Sequence, residues 1–248
     1  MLLLDIGNSR IKWVMVEDGV WALQGAADLA DMAGLRHAFA ALPPPQRILV
    51  SNVAGEHMAQ QVRAACAGWP CPIEFIAAQG EQCGVRNAYE QPAQLGSDRW
   101  AALIAAWHQV RAACLVVNCG TATTVDALSS EGEFLGGLIL PGMDMMRRSL
   151  AAGAAQLAEA AGSWHEFPRS TADAIFSGAI QATVGAIRLQ FEALAVRGAV
   201  RCLLSGGAAD SVQAHLNLPL ERVDNLVLQG LHIIGQQDVQ TMKQKAGA

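Results

Sequence analysis

The sequence predicts an α/β fold made of two similar halves, each a mixed sheet flanked by helices, with a cleft between them. An apolar run at 2–4 enters Asp5, Ile6, Gly7, Asn8 and Ser9, and a second mostly apolar run leaves at 11–16. A run at 115–117 likewise enters Asn118, Cys119, Gly120, Thr121, Ala122, Thr123 and Thr124, followed by Val125, Ala127 and Leu128. Gly7 and Gly120 stand 113 residues apart in a chain of 248. A pattern repeated at near half the chain length points to duplication. The expected division is therefore one domain at 1–114 and a second at 115–248.

Taken in order, strand-like runs at 2–4, 11–16, 48–50 and 73–76 alternate with helix-like stretches at 29–42 and 56–67, the first stopped by Pro43, Pro44 and Pro45. A helical pattern rich in Ala and Leu follows over 97–113. It carries Trp100 and Trp107, seven apart on one face, which reads as core or subunit interface. The second half repeats the order with a hairpin after Gly120, a strand at 134–140, and then helices. Ser170 to Asp173 has capping-box spacing and opens a long helix that ends near Gly198. A strand at 200–204 runs into Ser205, Gly206 and Gly207. A last helix from about 225 carries Leu226, Leu228, Leu231 and Ile234.

Hydrophobic residues make up 52% of the chain and charged ones 16%, ample for a buried core, and the net charge is −5. With three lysines and no basic stripe, nucleic acid is not the expected partner. No apolar run reaches the length of a membrane span and none suits a signal peptide, so the expected location is cytoplasmic. The six cysteines (Cys66, Cys71, Cys83, Cys114, Cys119, Cys202) form no C-x-x-C pair and are expected as free thiols without zinc. A P-loop, G-x-G-x-x-G, H-E-x-x-H and G-x-S-x-G are all missing from the sequence. Ser9 to Lys12 matches S-x-x-K, but at the start of a strand and without its partner motifs.

A glycine turn between strands lets backbone N–H groups approach an anion, because no Cβ stands in the way. Hydroxyls at Ser9, Thr121, Thr123 and Thr124 add donors, and Asp5 is suited to a hydrated magnesium ion bridging phosphates. Two such turns facing each other would clamp a polyphosphate. Either turn alone is equally an ordinary hairpin turn.

The two glycine turns resemble the phosphate loops of the actin-like kinases. Three further segments make the chain similar to the type III pantothenate kinase family: Tyr89, Pro92, Leu95, Gly96, Ser97, Asp98, Arg99 and Trp100; Gly136, Gly137, Ile139, Pro141 and Gly142; and Thr171 with Ala174, Ile175 and Gly178. The resemblance spans residues 1 to about 231. It implies duplicated actin-like (ribonuclease H-like) domains with sheets of a mixed five-stranded type, and ATP-dependent phosphorylation of the primary hydroxyl of pantothenate, the first step toward coenzyme A. It also implies a homodimer. Another small-molecule kinase of the superfamily and a non-catalytic nucleotide-binding regulator are the alternatives.

Carried onto this chain, the resemblance implies that Asp5, Ile6, Gly7, Asn8, Ser9, Arg10, Ile11, Lys12 and Thr121 contact ATP, with Asp5 holding Mg2+ through water. Tyr89, Gly96, Ser97, Asp98, Arg99 and Thr171 would contact pantothenate, and Asp98 would accept the proton of its hydroxyl. A carboxylate at a helix N-terminus is expected to stay ionised, with a pKa at or below about 4. Arg99 suits the substrate carboxylate or the phosphoryl group equally. Tyr89 is either a core aromatic or, following polar residues, an exposed ligand-facing ring. Ser205 to Gly207 fits a backbone approach to adenosine or a helix-start turn. Asp126 is a second acid of the loop or a strand-end residue. Asn118 stands where many relatives have an Asp that helps hold a monovalent cation, K+ or NH4+, and an amide oxygen brings no charge to that task.

Overall fold

A computed structural model of the chain describes residues 1–153 and 161–246. The first half forms β1 (Leu2–Ile6), β2 (Arg10–Glu17), β3 (Val20–Asp28), α1 (Met32–Ala40), β4 (Ile48–Asn52), α2 (Glu56–Ala65) and β5 (Ile73–Phe75). These strands make one sheet in the order β3-β2-β1-β4-β5. Its first three members are antiparallel neighbours, and β4 and β5 run parallel to β1. A short antiparallel pair, β6 (Glu81–Gln82) and β7 (Val85–Asn87), precedes α3 (Ser97–Val110).

The second half forms β8 (Cys114–Cys119), β9 (Ala122–Leu128), β10 (Glu133–Pro141), α4 (Met143–Gly153), α5 (Thr171–Ala195), β11 (Arg201–Ser205), α6 (Ala209–Gln213), β12 (Leu220–Arg222) and α7 (Leu226–Ala246). Here the order is β10-β9-β8-β11-β12, with β8, β9 and β10 antiparallel and β11 and β12 parallel to β8. Counted from the first strand of each half, the five strands β1–β5 and the five strands β8–β12 both read 3-2-1-4-5 with the same directions. The duplication inferred from two glycine turns is thus present in the topology.

Contacts divide the chain into one unit of 1–109 with 225–248 and another of 110–224. The expected boundary at 114/115 keeps the C-terminal helix with the second half, whereas α7 packs on β1 and β4 of the first. The physical reason is close helix approach. A Cβ on Gly230 would collide with the backbone of Ala101 in α3, and one on Gly235 with the side chains of Met1 and Leu49. Glycine at both positions lets α7 lie against this unit, burying Leu226, Leu228, Leu231 and Ile234.

Strand alternation decides what the site inherits. Leu2, Leu4, Ile6, Ile11, Trp13 and Met15 join Leu35, Phe39, Met58 and Val62 in a core under α1 and α2. The intervening residues, Leu3 and Asp5 on β1 and Lys12 and Val14 on β2, therefore share the opposite face. In the second unit Leu115, Val117, Val125, Ile180, Val184, Ile187, Cys202 and Leu204 form the corresponding core. Ser170 caps α5 by accepting the Asp173 N–H at 3.2 Å, as its spacing predicts.

The expected helix at 29–42 is shorter, because Asp31 takes the N-cap position and accepts the Gly34 N–H at 2.8 Å. β3 has no counterpart in the sequence reading. It is an edge strand, mostly exposed and rich in Ala and Gly, and so carries no hydrophobic alternation. All six cysteines are free thiols, and burial pushes Cys114 and Cys202 up to about 12.

Gly230→Ala should destabilise the protein by about 1–3 kcal/mol through overpacking against α3. Chemical denaturation read by tryptophan fluorescence measures it, and an unchanged midpoint would contradict this packing.

Candidate active site

In the first unit a polar row crosses three strands. Asp5 on β1 is registered against Lys12 on β2 and Ser51 on β4. Ser51 is fully buried, and its hydroxyl lies 3.0 Å from that of Ser97, which opens α3. The α3 N-terminus is thereby fastened above the row, and the next residue is Asp98.

Asp98 accepts the Arg99 backbone N–H at 2.8 Å. A Cβ on Gly96 would stand 2.7 Å from Asp98 Oδ1, so the carboxylate lies over a space only glycine leaves free. Gly96 contributes clearance. Arg99 is buried at 6% exposure; its Nη1 donates to the Tyr89 hydroxyl at 3.1 Å and its guanidinium lies 5.8 Å from that ring. Tyr89 is half-buried rather than exposed, with its hydroxyl engaged by Arg99. The Arg99 charge acts on the neighbouring Asp98 carboxylate.

The expectation of a low pKa for Asp98 is overturned. Burial raises it, outweighing the Arg99 N–H bond and the Arg99 charge, which act the other way. The helix terminus favours the anion, but desolvation wins. Asp5 is pushed up to about 7, first by burial and then by repulsion from Asp98, against the opposing charge of Lys12. The two carboxylates therefore act on one another, and one sits near neutrality. Such a pair gains from a cation, and Asp5 is fit to hold one.

The β1–β2 turn is closed by the Gly7 N–H donating to the Arg10 carbonyl at 3.0 Å, which leaves Asn8 and Ser9 exposed at its tip. Ile6 and Ile11 are fully buried, so only their backbone can meet a ligand. Arg10 forms a surface ion pair with Asp28 at 3.7 Å, of little energetic weight.

The β8–β9 turn is also closed by its glycine but is one residue tighter, with the Gly120 N–H donating to Ala122 O at 3.1 Å. Two further glycines crowd it. Cβ atoms on Gly142 and Gly206 would collide with the backbones of Gly120 and Thr121 and of Cys119 respectively. Gly206 has φ +99°, and Arg222 donates to its carbonyl at 3.0 Å. Backbone segments thus close around the turn where side chains cannot. Thr121 is exposed there, whereas Thr123 and Thr124, expected as further donors, are buried.

Asn118 occupies the place of Asp5 in the repeat. It is registered against Thr124 on β9 and Ser205 on β11, as Asp5 is against Lys12 and Ser51. This row is neutral throughout. Asp126 lies two residues further along β9 at 1% exposure, inside the strand rather than at its end. Thr171 is the exposed first residue of α5. Among the described residues no group of three or more His, Cys, Asp or Glu side chains could hold a metal ion.

Sequence reasoning missed Ser51, whose only signal is its place at the end of an apolar run, and Asn225, whose Oδ1 accepts from Lys12 Nζ at 3.3 Å.

Two copies of a 3-2-1-4-5 sheet with a glycine turn after each first strand define the actin-like ATPase and sugar kinase fold. A structure of MreB 5 from Spiroplasma citri bound to AMPPNP shares it at 10% identity, with a TM-score of 0.51 and 98% of each chain covered. A Campylobacter jejuni structure, provisionally described as a Baf family transcriptional activator, matches at 22% identity and TM-score 0.64 over 97% of this chain and all of its own. A model of the type III pantothenate kinase family matches residues 1–193. The type III pantothenate kinase of Aromatoleum aromaticum is 50% identical, over 96% of this chain and 98% of its own length, and that of Nitrosospira multiformis 45% over 97% and 93%. The chain belongs to the type III pantothenate kinase family.

An acid whose folded pKa lies above its unfolded value binds more protons when folded, so its ionisation costs stability as pH climbs from about 4 toward 7. In metal-free buffer Asp5→Asn should match the wild type near pH 4 and exceed it by roughly 2–4 kcal/mol at pH 8. Denaturation midpoints across that range decide it; equal stability at both ends would show that Asp5 is not under this strain.

Proposed function

We propose that this protein transfers the γ-phosphoryl group of ATP to the primary hydroxyl of pantothenate, the opening step of coenzyme A synthesis. The observation that carries the reading is the α3 N-terminus fastened over the Lys12–Asp5–Ser51 row so that Asp98 and Asp5 interact, in a member of this family.

ATP phosphates would meet the backbone N–H groups of residues 5–12, with Asn8 and Ser9 at the exposed tip, and the second glycine turn through Thr121. Asp5 would hold Mg2+ through water, the ion supplying charge neutralisation to the phosphates. Lys12 brings a further positive charge to the same strand pair. Pantothenate would lie against Tyr89, Gly96, Ser97, Asp98, Arg99 and Thr171. Asp98 orients the hydroxyl and takes up its proton. A loose transition state asks mainly for alignment, so a carboxylate serves, and its raised pKa makes it a better base than an ordinary aspartate. Arg99, held against Tyr89, is placed to offset charge beside Asp98.

The family resemblance supports a homodimer. Among the described residues no helix is long and apolar enough to cross a membrane, in keeping with a cytoplasmic enzyme.

Purified protein with ATP, Mg2+ and pantothenate should release ADP only when pantothenate is present. Asp98→Asn should lower kcat by about 100-fold or more without lowering the Tm, because it removes a buried charge. Wild-type kcat should fall with decreasing pH, beginning above the ordinary carboxylate range, as Asp98 protonates. Nucleotide binding without turnover would favour the regulatory alternative.

The neutral Thr124–Asn118–Ser205 row offers a monovalent cation oxygen atoms without charge. Activity should therefore depend only weakly on K+ or NH4+; a steep, saturating K+ requirement would show that the amide oxygen suffices.

A further inference from the structure

The chain has three lysines, Lys12, Lys243 and Lys245. Lys12 Nζ donates to Asn225 Oδ1 at 3.3 Å in a partly buried setting, joining residues 213 apart in sequence. A lysine ammonium is a compact charge on a flexible four-carbon stem, and it loses considerable rotamer freedom when fixed. Asn225 is equipped to fix it. It sits immediately before α7 with φ +55°, a conformation asparagine tolerates better than most residues. Its own carbonyl accepts the Gln229 N–H at 3.0 Å in the first turn of α7. That helix is pinned in turn by the glycine contacts with Ala101, Met1 and Leu49. A neutral amide oxygen orients the ammonium while leaving its charge uncancelled, which a carboxylate at the same place would not do.

We propose that Asn225 is a positioning residue for phosphate binding: its amide oxygen holds Lys12 Nζ beside Asp5, so that the ammonium meets the triphosphate already oriented. The proposal rests on ATP as the ligand of this site. It assigns a role in the first nucleotide turn to a residue more than two hundred positions away. The C-terminal helix thereby becomes part of the phosphate site as well as packing.

The test is a double-mutant cycle read as the ATP dissociation constant by calorimetry with Mg2+. Asn225→Gly keeps the left-handed backbone free of strain and removes the acceptor with the rest of the side chain. It should weaken ATP binding about fivefold in the wild-type background, the scale of one typical net hydrogen bond. In a Lys12→Met background the same change should have almost no effect, because the two residues act as one unit. Equal losses in both backgrounds, or no loss in the first, would overturn the proposal. KM for pantothenate should move far less than KM for ATP, whereas a general loosening of the fold would move both.

A ligand-free readout separates this from the kinase reading. With lysine labelled by 15N, the Lys12 ammonium should exchange its protons more slowly than that of a free lysine under the same conditions, and Asn225→Gly should abolish the difference. If wild type binds no ATP, the kinase reading fails. The exchange data then decide whether Asn225 holds Lys12, and fast exchange at Lys12 in the wild type would refute that too.

Discussion

Burial of carboxylate charge at the end of the first strand is the constraint around which the site is organised. Asp5 continues an apolar strand whose inward residues are fully buried, and it interacts with Asp98 at the start of α3. Desolvation and repulsion both disfavour its ionised form, and only Lys12 opposes them. Such a site costs stability when empty of cations and recovers it when a cation arrives. The polar neighbours follow from this. Ser51 and Ser97 tie the helix terminus to the sheet by a buried hydroxyl pair, and Asn225 accepts from the Lys12 ammonium.

Five strands of each half repeat one order, and their chemistry diverges. Asp5, Lys12 and Ser51 in the first sheet become Asn118, Thr124 and Ser205 in the second, at matching registers. One copy carries both charges and the other none. At the second turn it is backbone that crowds together, where Gly120, Gly142 and Gly206 let three segments meet. A second carboxylate at the matching position would add like-charge repulsion wherever the two came near each other.

Glycine acts here mainly by giving room. Gly96 clears space for the Asp98 carboxylate, Gly142 and Gly206 for the second turn, and Gly230 for the helix crossing. Only Gly206 of these combines close approach with a positive φ. A reading of glycine as a turn former accounts for Gly7 and Gly120 but not for the rest.

Period, turn chemistry and motif spacing are local properties, and they determined a good deal: the duplicated α/β fold, both glycine turns, and the α3 and α5 starts. The edge strand β3 escaped because its exposed residues bear no hydrophobic signature. Tertiary structure alone decided the rest. It returned α7 to the first unit, placed Asn225 on Lys12 and Ser51 under Ser97, and reversed the expected pKa of Asp98. The reason is common to all four: desolvation and close approach depend on which distant segments meet at a point, and a helix terminus or strand end read along the chain carries no record of what is packed over it.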